Sequence, residues 1–202
     1  MKNMLRQPLN KFPKNSSGRG FSMIELIITI AIAAILLTLA IPSFTSFLNS
    51  NRVSGQANEL LATFQTARLE SIRRGRQVVV CGSSNANAAT PSCSGTAAWG
   101  GWISFVDTNR NNAFDAGETL LQANLLSSVT ATASSNINAF VTFQSDGLAR
   151  RSNGNLLQGK VGLCVPTTTP LLNARDVEFA TGGGNLRVAK RNAGIPCDAP
   201  GN

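Results

Sequence analysis

The sequence predicts an α+β fold, a long N-terminal helix packed on a mostly antiparallel β-sheet, and three features predict it. Between residues 21 and 47, Ile, Leu and Ala dominate and Glu25 is the sole charged side chain. Past Pro42, apolar residues recur at steps of three and four as Ala57, Leu60, Leu61, Phe64, Ala67 and Ile72. After Gly75 the period changes, and short apolar runs alternate with Gly, Asn, Ser and Pro.

The first run, as a helix, is long enough to cross a hydrocarbon layer about 30 Å thick, and residues 21–48 are read as its membrane half. Lys2, Arg6, Lys11, Lys14 and Arg19 precede it without an acid. The positive-inside tendency holds such a flank in the cytoplasm and sends the rest across. Pro42 removes a backbone hydrogen bond, which predicts a kink or local melting there, or the end of the span. Residues 49–75 form an amphipathic half able to lie on a sheet. Arg73 and Arg74 suit the negative end of the helix dipole, and Gly75 is a natural stop. Within a β-rich globular region, residues 76–202, strands are expected at residues 77–81, 102–106, 119–123, 128–133, 139–144, 160–165, 176–180 and 185–189.

At 202 residues the chain holds one modest globular domain behind its helix. The formal charge is +8, but five basic residues precede Gly20, and eight less five leaves +3 for the remainder. Histidine and tyrosine are absent, so no His-based catalytic triad or His-containing metal site can be built. Cys81, Cys93, Cys164 and Cys197 all lie beyond the apolar run. Four cysteines in an exported domain predict two disulfides, with three connectivities open. The favoured one joins Cys81 to Cys93, closing a short loop, and Cys164 to Cys197, tying the tail to a late strand. A four-cysteine zinc site normally needs closely spaced pairs, which this chain lacks.

An ordinary secretory signal places its small-residue cleavage site after the apolar core. Here Gly20 stands before it. Cleavage after Gly20 removes residues 1–20 as a basic leader and leaves Phe21 at the start of a retained helix, with Glu25 fifth. Gly20, Phe21 and Glu25 resemble the class III leader of type IV pilins and pseudopilins, and pilins commonly carry a proline where Pro42 stands. Trp99-Gly100-Gly101-Trp102-Ile103-Ser104-Phe105-Val106-Asp107, Asp115-Ala116-Gly117-Glu118 and Phe143-Gln144-Ser145-Asp146-Gly147 are similar to elements of the GspH/FimT type.

The resemblance implies a type IV pilin-like fold, cutting by prepilin peptidase, methylation of the new amine, and assembly with major and minor pilins. It further implies an inner-membrane anchor with a periplasmic C-terminal domain. In that family the glutamate at the position of Glu25 pairs with the terminal amine of a neighbouring subunit. An unpaired carboxylate in hydrocarbon is costly, and intramembrane acids usually mark function. The plainer alternative is a signal anchor with Glu25 at headgroup level.

Two clusters outside the helix carry chemistry. Asp107, Asn109, Asn111, Asp115 and Glu118 space oxygen side chains as an EF-hand-like loop does, a ring suited to calcium. Asn112 replaces the turn glycine and Arg110 adds a positive charge, so a hairpin loop capping its own backbone is the other reading. Basic residues gather at Arg150 and Arg151, and at Arg187, Lys190 and Arg191. Such cations bind nucleic-acid phosphates without reading bases, in a salt-dependent way. In the FimT branch a Gly-Arg-x-Arg motif near the C-terminus binds incoming DNA. Here Asn185 stands at its first arginine and Arg187 matches its second. Strand alternation turns Arg187 away from Leu186 and Val188, toward solvent.

These features predict a minor pilin of a type IV pilus, contributing to pilus biogenesis and to double-stranded DNA binding in uptake. A GspH-type pseudopilin of type II secretion is the rival, and the basic tail suits DNA better than a protein cargo. An enzyme would need a use for Asp107, Asp115 and Glu118 as paired carboxylates, but no substrate groove is legible, and none is expected.

Overall fold

The computed structural model describes residues 20–151, 153–180 and 183–202, apart from the side chains of Leu39, Ala40 and Pro42; the expected leader, residues 1–20, lies outside them except for Gly20. The chain divides into two units between Ile41 and Pro42. A helix, α1 (Met23–Arg74), begins just after Phe21 and is unbroken in its backbone through Pro42. The local melting expected there is absent, since one lost backbone bond does not by itself end a long helix.

In the first unit the helix leaves its apolar side chains bare. Ile24, Ile27, Ile32, Ile35 and Leu36 are all more than half exposed, Ile35 at 64%. α1 is the one helix among the described residues long and apolar enough to cross a membrane. Each square ångström of apolar surface left in water costs about 25 cal/mol, so this unit needs lipid or other helices around it.

The second unit holds the rest of α1 and ten strands: β1 (Gln77–Gly82), β2 (Ala98–Trp99), β3 (Gly101–Asp107), β4 (Thr119–Leu125), β5 (Thr130–Ala133), β6 (Phe140–Phe143), β7 (Ala149–Arg150), β8 (Gly159–Cys164), β9 (Ala174–Phe179) and β10 (Leu186–Arg191). They form two five-stranded sheets, β4-β3-β1-β6-β7 and β10-β9-β8-β5-β2, with every pairing antiparallel. The sequence pattern suggested one sheet. It becomes two because β5 pairs with β8 while the next strand, β6, pairs with β1, and no ladder joins the two sets.

Val53, Ala57, Leu60, Phe64 and Ala67 of α1, spaced at three and four, meet the inward side chains of both sheets in one core. Val78, Val80, Trp102, Val141 and Phe143 come from the first sheet, and Val161, Leu163, Val177 and Phe179 from the second. Phe64 stacks edge-on to Phe179 with ring centroids 4.9 Å apart. Two polar links set the helix in place. The Trp102 indole donates to Thr63 Oγ1 at 3.0 Å, and the buried Arg175 donates to Ser50 and Ser54 of α1.

Both disulfides join loop to strand: Cys81 to Cys93 beneath the 83–97 loop, and Cys164 of β8 to Cys197 in the tail. The second closes 33 residues of chain. Opening it in a Cys164→Ser/Cys197→Ser variant is expected to cost about 2–4 kcal/mol, mainly through the freer unfolded chain. A thermal melt of the full chain in detergent checks this; an unchanged midpoint would show that the tail is held by packing alone.

Candidate assembly and nucleic-acid interfaces

Gly20 and Phe21 precede the helix, and Glu25 occupies its first turn, exposed, where a carboxylate complements the positive end of the helix dipole. The helix surface around it is uncharged and mostly apolar: Phe21, Met23, Ile24, Leu26 and Ile28 are all exposed. Glu25 is thus a single charge on an otherwise uncharged rod.

On β10 the alternation places Leu186 and Val188 against the core and Arg187 on the outer face. That face carries acids which the tail composition did not reveal. Arg187 lies opposite Glu178 of β9 and donates to it through Nε at 2.6 Å, while Lys160 of β8 approaches the same carboxylate at 3.4 Å. Arg191 donates to Asp176 at 2.7 Å and to the Asp198 carbonyl at 3.0 Å. Asp176 is 3% exposed in its side chain and rests on Gly162, where a Cβ would fall 2.8 Å from its Oδ1. Arg191 is therefore a fastening of β9 and the tail, not a free cation. Arg187 keeps 69% of its side chain open despite its partner, and Lys190 is exposed with no ion pair among the described residues.

A signal for this pairing existed. Asp176 and Glu178 alternate with Val177 in the strand preceding β10, so an antiparallel hairpin puts acids beside Arg187 and Arg191. Arg150 and Arg151 belong elsewhere, on and just after β7 in the other sheet. Arg150 pairs with Asp146 at 2.7 Å and holds that carboxyl below its usual range.

The loop from Asp107 to Glu118 spends its oxygens on itself. Asp107, buried, accepts from the backbone N–H groups of Arg110 and Asn112 and from the Gln77 amide. Glu118 accepts from Thr108 and from the Asp115 N–H. The side chains of Asn109 and Asn111 donate to Asp115, which lowers its pKa. Among the described residues no group of three His, Cys, Asp or Glu side chains is gathered closely enough to hold a metal ion. Arg110 and Asn112 take positive φ, 62° and 60°, to make these turns. Asp107→Ala is expected to destabilise by about 1–3 kcal/mol, because it strands buried donors, while calcium addition leaves the melting midpoint unchanged. A calcium-dependent rise in the wild-type melt would instead support the cation reading.

Comparison with known proteins extends these observations. The family model for type II transport protein GspH matches residues 56–187. The chain belongs to the GspH family. In this GspH-family protein, residues 15–41 also match the prokaryotic N-terminal methylation motif, which spans Gly20, Phe21 and Glu25. Pilin-like protein PilA1 of Thermus thermophilus is similar, at 38% identity over 106 residues, covering 50% of this chain and 55% of that protein. The chain thus spans about half the length of that curated relative. Two crystal structures of the type IV minor pilin FimU of Pseudomonas aeruginosa PAO1 also match. One is 17% identical with a TM-score of 0.47, covering 67% of this chain and 91% of FimU; the other is 18% identical with a TM-score of 0.47, covering 72% and 92%. The family match and the methylation motif together make the chain pilin-like.

Proposed function

We propose that this chain is a minor pilin of a type IV pilus. Prepilin peptidase cuts after Gly20, the new amine on Phe21 is methylated, and the helix anchors the chain in the inner membrane with its globular unit in the periplasm. Residues 21–48 then join major and minor pilins, with Glu25 pairing a neighbour's terminal amine and Pro42 lying in the buried stretch. The observation that carries this reading is the bare apolar helix with its one carboxylate, set inside a methylation motif. A GspH-type pseudopilin of a type II secretion system would use the same parts, and the GspH model match favours keeping it as the second reading.

Double-stranded DNA is the proposed further partner, held through phosphates by Arg187 and Lys190, the two cations of β10 that remain open. A gel shift of the full chain in detergent across a salt series tests it. Binding is expected to weaken with salt and to fall at least tenfold in Arg187→Ala/Lys190→Ala. Absence of a shift at low salt would remove DNA from the proposal and favour secretion.

A further inference from the structure

The outer face of the first sheet is covered on one side by the 83–97 and 107–118 loops, whose Ala86 and Phe114 pack on Val79, Ile103 and Phe105. Toward β6 and β7 it is open. Two adjoining recesses lie there, of ≈ 210 Å³ and ≈ 400 Å³, and both are lined by Phe140, Arg150 and Arg151. The second lies within the range of small-molecule sites, about 300–1,000 Å³. The first also takes Arg110 from the facing loop, and its polar lining is Gln77, Asn112, Thr142 and Gln144.

Three guanidiniums thus converge on one trough whose described lining contains no carboxylate. Asp107, close by in sequence, is buried with both oxygens occupied. Arg150 is held in place by Asp146 and by the Gly154 carbonyl. The side chains of Arg110 and Arg151 make no hydrogen bond or ion pair among the described residues, so their donors are available. The floor is a chain of side-chain hydrogen bonds, Gln144 to Gln77, and Gln77 and Thr142 to Asn112, which fixes it independently of any ligand. Phe140 is the one aromatic ring common to both recesses.

We propose that this trough binds a nucleotide unit, its phosphate between Arg110 and Arg151 and its base against Phe140. Arginine forks suit phosphate oxygens. A cationic groove with an aromatic ring is the arrangement that holds single-stranded nucleic acid without sequence preference. A duplex, with its bases turned inward, offers such a recess only its backbone, whereas a single strand can turn a base into it. This extends the nucleic-acid reading of β10 to a second site on the other sheet, and the two fail separately.

The test is fluorescence anisotropy of labelled oligothymidylate on the full chain in detergent micelles, with thymidine monophosphate as competitor. Arg110→Asn/Arg151→Gln removes both free guanidiniums; asparagine is chosen because residue 110 sits at φ 62°, which it tolerates. Loss of two phosphate contacts should weaken binding at least tenfold and flatten the plot of log K against log salt by about 1.4. Phe140→Leu, which keeps an apolar side chain, should weaken binding about tenfold with the salt slope unchanged. Displacement by the mononucleotide identifies a nucleotide pocket, and displacement by longer strands alone identifies a single-strand groove; either supports the proposal. It is overturned if the wild-type chain fails to bind at low salt, or if the double variant, melting as wild type does, binds equally well. Single-strand binding that survives in the trough variant but is lost in Arg187→Ala/Lys190→Ala would assign it to β10 instead.

Discussion

Replacing Phe64 by alanine is expected to destabilise the globular unit by about 3–5 kcal/mol. Phe64 is 0% exposed and sits where the helix meets both sheets, against Phe179 at 4.9 Å and Phe143 at 6.3 Å between ring centroids. Truncation leaves a cavity bounded by rigid strands, which relax little. A loss of that size is a large part of the about 5–15 kcal/mol that holds a typical domain together. Denaturant unfolding followed by near-ultraviolet circular dichroism measures it, since Trp99 and Trp102 lie in the same core. Leu69→Ala on the same helix is the control: Leu69 is 66% exposed, and its loss is expected within about 0.5 kcal/mol. Equal effects at both positions would mean that the helix does not pack through its Phe64 face.

Glu25→Leu is expected to abolish incorporation into the filament while leaving membrane insertion intact. The substitution makes an already apolar segment more so, and the dipole contribution it loses is small, about 0.3–1 kcal/mol. What disappears is the charge proposed to pair with a neighbour's amine, in a medium where ion pairs are weakly screened. The measurement is the amount of chain in sheared filaments relative to membranes, with Glu25→Gln alongside. Glutamine keeps a hydrogen-bond acceptor without the charge, so an intermediate yield is expected. Wild-type yields for Glu25→Leu would show that assembly rests on the apolar rod alone and would return Glu25 to a headgroup role.

Most strands were legible because each carries a run of apolar or β-branched residues closed by Gly, Asn, Ser or Pro. Residues 77–81 and 160–165 fall within a residue or so of β1 and β8. β2 and β7 were not, because two residues such as Ala98 and Trp99 have no period; only their partners, Thr132 and Ala131, make them a strand. The candidate sites were legible as compositions but not as neighbourhoods. Arg191 read as a tail cation, yet burial of Asp176 binds it to the sheet. Arg110 read as a blemish in a calcium-like loop, yet the fold turns it toward Arg150 and Arg151, some forty positions on in the chain.

The sequence by itself determined the long helix, its switch from an all-apolar to an amphipathic surface, the position of Glu25 within it, and the β-rich character of the chain beyond Gly75. Those properties depend on residues near one another along the chain, where period and turn chemistry act. The tertiary structure alone decided that the strands form two sheets, that Asp176 is buried against Gly162, and that three arginines share one trough. Those depend on which distant segments pair, and pairing is settled by the burial of Phe64, Phe143 and Phe179 together, a contact among residues with no local sequence signal.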